Sequence, residues 1–256
     1  MSMEIICPCC GQRLVKENNT FRCLNNHSFD IAKEGYINLI GKSHSGDNNS
    51  SIQGRRLFLE RGYFLPLKEE LKKIIKEYDI QELLDVGCGE GYYDRDCGVA
   101  ELMGIDVSKE AIKKAAKNSP YFYCVASANN LPVNQTKSIL SVFAPVFLEE
   151  LRRVMSDRAL LIKVTPKAHH LMELKEVLYH TVRESVEKEI HEEDFLKIYS
   201  KDLTYSIHVP QEHLKALLAM TPYAFTTSPQ DIQKLDALEY LDITCDFNIS
   251  IYEYHI

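Results

Sequence analysis

The chain has 256 residues, 45% of them hydrophobic and 26% charged, enough apolar material for one large domain or a large domain with a small satellite. A net charge of −7 argues against a protein that coats nucleic acid by bulk electrostatics and leaves room for a local basic patch. No apolar run reaches the roughly 18 residues of a membrane span, and the start "MSMEIICPCCGQRL" lacks the regions of a signal peptide. A cytoplasmic protein with no membrane partner is expected.

Residues 1–40 read as a compact unit with little core of its own. Cys7-Pro8-Cys9-Cys10 is followed, after twelve intervening residues, by Cys23-Leu24-Asn25-Asn26-His27. In a reducing compartment, cysteines clustered in this way mean metal more often than disulfides. Two short knuckles with two soft ligands each predict a tetrahedral zinc site, free thiols being the bland alternative. Cys7 and Cys10 have the CxxC spacing and Cys9 does not. Four protein ligands leave no open position, so such a zinc is structural and presents a binding surface. Arg13, Lys16, Arg22, Lys33 and Tyr36 are candidates to touch a polyanion there, or simply to face solvent.

"GKSHSGDNNSSIQG" is Gly-, Ser- and Asn-rich, and the stretch 41–56 is expected to be a linker before a domain over 57–256. After Pro66, Leu67, Leu71, Ile74, Ile75 and Tyr78 fall at helical spacing. Strands are expected near 82–86 and 101–106, and Ser108 caps a helix through 109–118. "YFYCVAS", "SILSVFAP" and "ALLIKVTP" read as further strands, with "VFLEELRRVM" as the helix before the last of them. Long helices are expected around 170–191 and 210–219, and "EYLDITCDFNISIYEY" alternates like two late strands joined by a turn. Strands alternating with helices predict an α/β fold, a doubly wound parallel sheet with a strand pair added at its end.

The chemistry gathers at "LLDVGCGEGYYDRDCGVAELMGIDVS". Gly87, Gly89 and Gly91 let backbone approach a ligand at the carboxyl edge of the first strand. Asp85 and Glu90 flank and enter this loop, where they repel a pyrophosphate and suit a cationic ligand without phosphates, such as S-adenosylmethionine. Asp106 ends the second strand, where a carboxylate accepts both ribose hydroxyls. "VFAP" stands where methyltransferases acting on exocyclic amines often show Asn or Asp before two prolines, which argues against adenine-N6 chemistry.

The whole chain resembles the zinc-containing 23S ribosomal RNA (guanine-N1)-methyltransferases. The matching stretches include "CPCCGQRL", "CLNNHSFDIAKEGYINL", "RRLFLERGYFLPL", "LDVGCGEGYY", "GIDVSKEAIKKAAK", "TPKAHHLMELK", "MTPYAF" and "TCDFNI". The resemblance implies a class I S-adenosylmethionine-dependent methyltransferase fold with a small N-terminal zinc-binding, RNA-recognising domain. It implies methylation of a guanine in a hairpin of 23S rRNA, in some members linked to macrolide resistance, by a homodimer. By position it implies zinc on Cys7, Cys10, Cys23 and His27, and cofactor contact from Gly89, Glu90 and His170. Phe64 aligns with the aromatic that covers the cofactor, where the family more often has Tyr.

Three departures fall in the catalytic domain. Between Gly91 and Gly104 the chain is about one helical turn short of the family pattern, leaving "YYDRDCGV" as barely two turns for the first crossover helix. The segment before "VFAP" is also short, and "MSDRALLI" replaces a Lys-Pro-Gly-Gly turn. These keep a second reading alive, an rRNA- or ribosome-binding protein with a degenerate methyltransferase domain. A small-molecule methyltransferase, the third, leaves the zinc module unexplained. In the enzyme reading guanine N1 must lose a proton, and His169, His170 and Glu90 are candidates by neighbourhood alone. The target base, taken out of its stack, would lie on Phe64 or Phe143, the latter equally at home in a core.

Overall fold

A computed structural model of the chain describes residues 3–41, 49–182 and 189–256. In chain order its strands are β1 (Val15–Glu17), β2 (Thr20–Arg22), β3 (Ser28–Asp30), β4 (Ile37–Asn38), β5 (Glu82–Val86), β6 (Glu101–Asp106), β7 (Phe122–Val125), β8 (Thr136–Val142), β9 (Met155–Pro166), β10 (Phe195–Pro210) and β11 (Tyr240–Tyr254). Its helices are α1 (Asn49–Glu60), α2 (Leu65–Glu77), α3 (Lys109–Asn118), α4 (Leu148–Val154), α5 (Met172–Leu178), α6 (Gln211–Ala219) and α7 (Pro229–Gln233).

The eight-stranded sheet has the order β10-β11-β9-β8-β5-β6-β7-β4. From β4 through β9 neighbouring strands run parallel, and β11 enters antiparallel between β9 and β10. Strand order reverses at β5, which lies between β6 and β8, and the crevice beyond the carboxyl ends of β5 and β8 is where such sheets bind ligands. The central strands are apolar on both faces because both are covered: Leu83, Leu84, Ile139 and Leu140 are fully buried. One face packs α2, α5 and α6; the other packs α4 and the N-terminal ribbon.

Helical spacing gives the right outcome for α2, whose Leu67, Leu71, Ile74 and Ile75 are buried. It does so again for α3, whose Ala111, Ile112 and Ala115 are buried and whose Ser108 Oγ accepts from Ala111 N at 3.4 Å. Elsewhere the structure corrects the expectations. Residues 42–48 of the expected linker lie outside the described residues, and its end, from Asn49, is already α1. The helix expected over 170–191 is only α5; Leu171 precedes it with φ 55° and the extended Tyr179 ends it, with 183–188 outside the described residues. The C-terminal alternation is one 15-residue strand, and its partner is not a second half of itself but the 16-residue β10. Strand β10 sits at the sheet edge with its first part mostly exposed; a period-two alternation appears only over its second part, where Leu203, Tyr205, Ile207 and Val209 turn inward and Thr204, Ser206 and His208 face out.

The largest departure is the connection from β5 to β6. Residues 87–100 form turns, with no helix at all. Asp96 and Gly98 take φ 60° and 85°, conformations that end helices rather than continue them. The turns are nonetheless packed: Asp94, Cys97 and Val99 are buried, and the ammonium of Lys68 from α2 lies 4.9 Å from the Tyr92 ring centre. The parallel register of β5 on β6 survives from Glu82↔Glu101 to Val86↔Ile105. The mouth of the crevice is therefore held by strand pairing, not by a crossover helix.

Gly104 in β6 shows how closely that region is packed. A Cβ added there would stand 2.5 Å from Cδ1 and Cε1 of Tyr123 and 3.0 Å from Cys88 Sγ. Gly104→Ala is expected to cost about 1–3 kcal/mol by overpacking, lowering the melting temperature by several degrees in a thermal scan.

Candidate functional site

The ribbon is three short antiparallel strands, β1–β2–β3, with two knuckles beside them. Sγ of Cys7, Cys10 and Cys23 and a ring nitrogen of His27 all lie within 4.8 Å of one another. Nδ1 of His27 is 3.5 Å from Cys7 Sγ and 3.4 Å from Cys23 Sγ, and the Cys10 and Cys23 sulfurs are 3.7 Å apart. A tetrahedral zinc with Zn–S of about 2.3 Å and Zn–N of about 2.0 Å requires S–S edges of ~3.8 Å and S–N edges of ~3.5 Å. The donor set fits that ion, through Nδ1. Cys9 is exposed and outside the group, which resolves the CxxC ambiguity.

The ribbon is not an independent body. Ile6 N donates to Pro132 O at 2.9 Å, Phe21 packs on Phe122 at 5.7 Å between ring centres, and β4 extends the main sheet beside β7. Tyr36, a candidate surface contact from its sequence position, is only 5% exposed and packs with Cys88, Ile112, Tyr123 and Val125. The ribbon's last residues thus carry the sheet's outer wall rather than a free RNA-binding face.

At the carboxyl ends of β5, β6 and β8 lies a cavity of about 540 Å³, within the ordinary range for a small-molecule site. Asp85, Gly87, Gly89, Glu90 and Asp106 line it. Gly87 has φ 77° and a Cβ there would meet the Cβ of Ala144 at 2.5 Å, so the close approach of the loop to the segment after β8 requires glycine. Gly91 lies behind the lining, against Asp94 and the Tyr123 hydroxyl. Asp106 accepts from Gly89 N at 3.0 Å and from Ser108 N at 2.8 Å, one amide on each oxygen. A carboxylate has about four acceptor positions and is the group that ribose hydroxyl donors call for. Glu90 Oε1 accepts from Lys114 Nζ at 3.1 Å.

Phe64 and His170 do not line the cavity. Phe64 is 2% exposed, in edge contact with Phe58 and Phe247, and His170 packs 4.6 Å from the Phe247 ring centre. Enclosure among these rings lowers the imidazole pKa to about 3, so His170 is a neutral group above that pH. Both stand behind Phe143, which is 43% exposed, has φ 58° and does line the cavity. Sequence reasoning also passed over Arg55, Arg56 and Glu60 of α1 and Thr221 and Pro222 after α6, which complete the wall. The only signal for them was their place in the matched stretches "RRLFLER" and "MTPYAF".

Beneath the glycine loop, Asp85 and Asp94 are 2% and 0% exposed, and the Asp94 carboxylate makes no hydrogen bond of ordinary geometry. Burial and then the neighbouring Asp94 push the Asp85 carboxyl well above the usual carboxylate range; burial also raises Asp94. Because the folded-state values are raised, the native protein holds protons that the unfolded chain releases. This contribution to stability is complete below the unfolded value near pH 4 and is lost as pH rises toward the folded values. Asp94→Asn removes one ionisable member, so its melting temperature is expected to exceed the parent's by a margin that grows from pH 4 to pH 8. A constant margin in thermal scans would contradict the raised carboxyls.

The comparisons agree with this geometry. A zinc-ribbon family model described as "RlmA, N-terminal" matches residues 5–44, and the "Methyltransferase domain" model matches residues 84–163. YxjB of Bacillus subtilis (strain 168), which bears the provisional name 23S rRNA (guanine-N(1)-)-methyltransferase, is 30% identical over 96% of this chain and 95% of its own. The chain belongs to the 23S rRNA (guanine-N1)-methyltransferase family. The 23S rRNA (guanine(748)-N(1))-methyltransferase of Streptomyces fradiae is 27% identical over 89% of this chain and 88% of its own. A crystal structure of a methyltransferase-like protein from Bacillus halodurans C-125 superposes with a TM-score of 0.51 at 12% identity, covering 73% of this chain and all of the other, which shows the shared fold. The sheet domain is a class I S-adenosylmethionine-dependent methyltransferase domain, and the ribbon is a zinc ribbon.

Proposed function

We propose that this member of the family transfers a methyl group from S-adenosylmethionine to N1 of a guanine in a hairpin of 23S rRNA, acting as a homodimer. The observation that carries the reading is the cavity at the switch point, with Asp106, the glycine loop and Glu90 on its wall and a Cys₃His ribbon fused to the same sheet. In this reading Cys7, Cys10, Cys23 and His27 hold the zinc. Asp106 takes the ribose hydroxyls, and Asp85, Gly87, Gly89 and Glu90 surround the amino-acid end of the cofactor, with Gly91 shaping the turn beneath. Phe64 and His170 act through Phe143, whose position they fix, rather than by covering the cofactor themselves. S-adenosylmethionine supplies an electrophilic methyl on a sulfonium; the chain's contribution is to hold it and the base in attack geometry.

The non-catalytic alternative keeps one observation in its favour, the loss of the helix between β5 and β6. It requires that the cavity no longer bind cofactor. Calorimetric titration of zinc-loaded protein with S-adenosylmethionine and S-adenosylhomocysteine separates the two. One-site binding, followed by a new reverse-transcription stop at a guanine of 23S rRNA treated with protein and cofactor, is the expected result. A folded protein that binds neither compound, with or without RNA, overturns the enzyme reading. No described helix is long and apolar enough to cross a membrane, and sedimentation of the loaded protein tests the homodimer.

A further inference from the structure

Four acidic side chains line the cavity, and other groups already account for three of them. Asp85 is buried against Asp94, Asp106 carries two backbone amides, and Glu90 is 7% exposed and paired with Lys114. The fourth is Glu60, at the C-terminal end of α1, with its side chain 48% exposed. Its Oε1 accepts from Arg56 Nε at 2.7 Å, one helical turn away. Arg56 and Phe143 line the same cavity, so a carboxylate, a guanidinium and an exposed aromatic face stand around one opening. The histidines that sequence position suggested as bases are elsewhere: neither His169 nor His170 lines this cavity.

The Watson–Crick edge of guanine presents two adjacent donors, N1–H and an N2 hydrogen, beside one acceptor, O6. A carboxylate takes the two donors and a guanidinium at its side donates to the acceptor. Adenine offers the reverse order, and uracil sets its single donor between two acceptors that would face the carboxylate. Resting on the guanine-N1 reading above, we propose that Glu60 and Arg56 read the Watson–Crick edge of the target guanine and that Glu60 is the base that removes its N1 proton. The Glu60 carboxylate takes the proton, and N1 keeps the electron pair with which it bonds to the methyl carbon. The sulfur of the cofactor retains the pair of the breaking bond and becomes a neutral thioether. The charge of the carboxylate is thereby discharged as the sulfonium disappears, and the proton leaves Glu60 to water.

The test is single-turnover methyl transfer to a 23S rRNA hairpin by the full, zinc-loaded chain, with cofactor affinity measured on the same preparations. Glu60→Gln is expected to lower the rate at pH 7 by about 100-fold or more while S-adenosylmethionine affinity stays at the parent value. Its deficit should narrow as pH rises, because alkaline solution then deprotonates N1 unaided, whereas the parent profile levels off. Arg56→Gln should weaken the reaction about tenfold, the worth of one charged hydrogen bond, with the parent's pH profile retained. Inosine, which lacks the N2 amine, should slow the parent and have no further effect in Glu60→Gln. If Glu60→Gln keeps the parent's rate and pH profile while the parent methylates guanine N1, the assignment of Glu60 falls and the function stands. If the parent binds cofactor and methylates no guanine N1, the function falls, and this inference with it.

Discussion

Cys23→Ser is expected to abolish zinc binding, measured as metal content, and to leave the amides of residues 3–41 unprotected in hydrogen exchange. The ribbon has little else to hold it. Ahead of Tyr36 its buried apolar side chains are Met3, Cys7, Leu14, Phe21 and Cys23, two of which belong to the Cys₃His cluster. Structural zinc contributes about 10–16 kcal/mol to folding of comparable small modules, far more than those side chains could replace. The consequence should reach the cofactor cavity. Leu39 N donates to Val125 O at 2.9 Å, and β4 pairs with β7 immediately before Ala126, which lines the cavity. Loss of the ribbon removes that edge pairing, so S-adenosylmethionine should bind several-fold more weakly to a sheet domain that still melts cooperatively. A Cys23→Ser protein with protected ribbon amides would show that the ribbon folds without metal.

Asp106→Ala is expected to weaken S-adenosylmethionine and S-adenosylhomocysteine binding alike, by about 100-fold in calorimetry. Hydrogen bonds to charged groups contribute about 1.5–3 kcal/mol each, and two ribose hydroxyls at the lower figure give about 3 kcal/mol, or two powers of ten. The side chain also organises the loop, since its oxygens hold the amides of Gly89 and Ser108. Asp106→Asn separates these duties: it retains one acceptor for an amide and loses the charge, so an intermediate affinity is expected. Equal loss for both ligands is required because they share the ribose and differ at sulfur. Unchanged affinity in Asp106→Ala would remove the carboxylate from the cofactor site.

The Cys₃His cluster was legible because its chemistry is local. CxxC followed by a Cys and His on a second knuckle brings four donors together over short loops, and the four named residues do converge. The strand–loop–strand of β5 and β6 was legible for the same reason: Asp85, the alternate glycines and Asp106 sit at fixed offsets from strand ends, and register brings them to one opening. Residues whose position depends on packing between distant segments were not. The side chains of Phe64 and His170 both pack on Phe247, more than seventy residues further along, and only their joint packing shows that Phe143 reaches the cavity in their place. Glu60 and Arg56 reach it because α1 packs against α6, with a Cβ on Gly54 placed 3.0 Å from that of Ala219; nothing in their own sequence period points there.

The sequence by itself determined the class of fold, the Cys₃His cluster and the acid-and-glycine frame of the cavity, since apolar periodicity and short loops act within a few residues. The tertiary structure decided that fourteen residues of turn replace the crossover helix without opening the crevice, because Lys68 of α2 and the parallel register of β5 on β6 hold that space. It decided that β10, not a C-terminal hairpin, pairs with β11, since a strand's partner across the whole of α6 and α7 is chosen by register and packing and not by a local period. It also decided which of four carboxylates at one opening is exposed and held beside a guanidinium. That is a question of what surrounds each group, and surroundings are supplied by the whole fold.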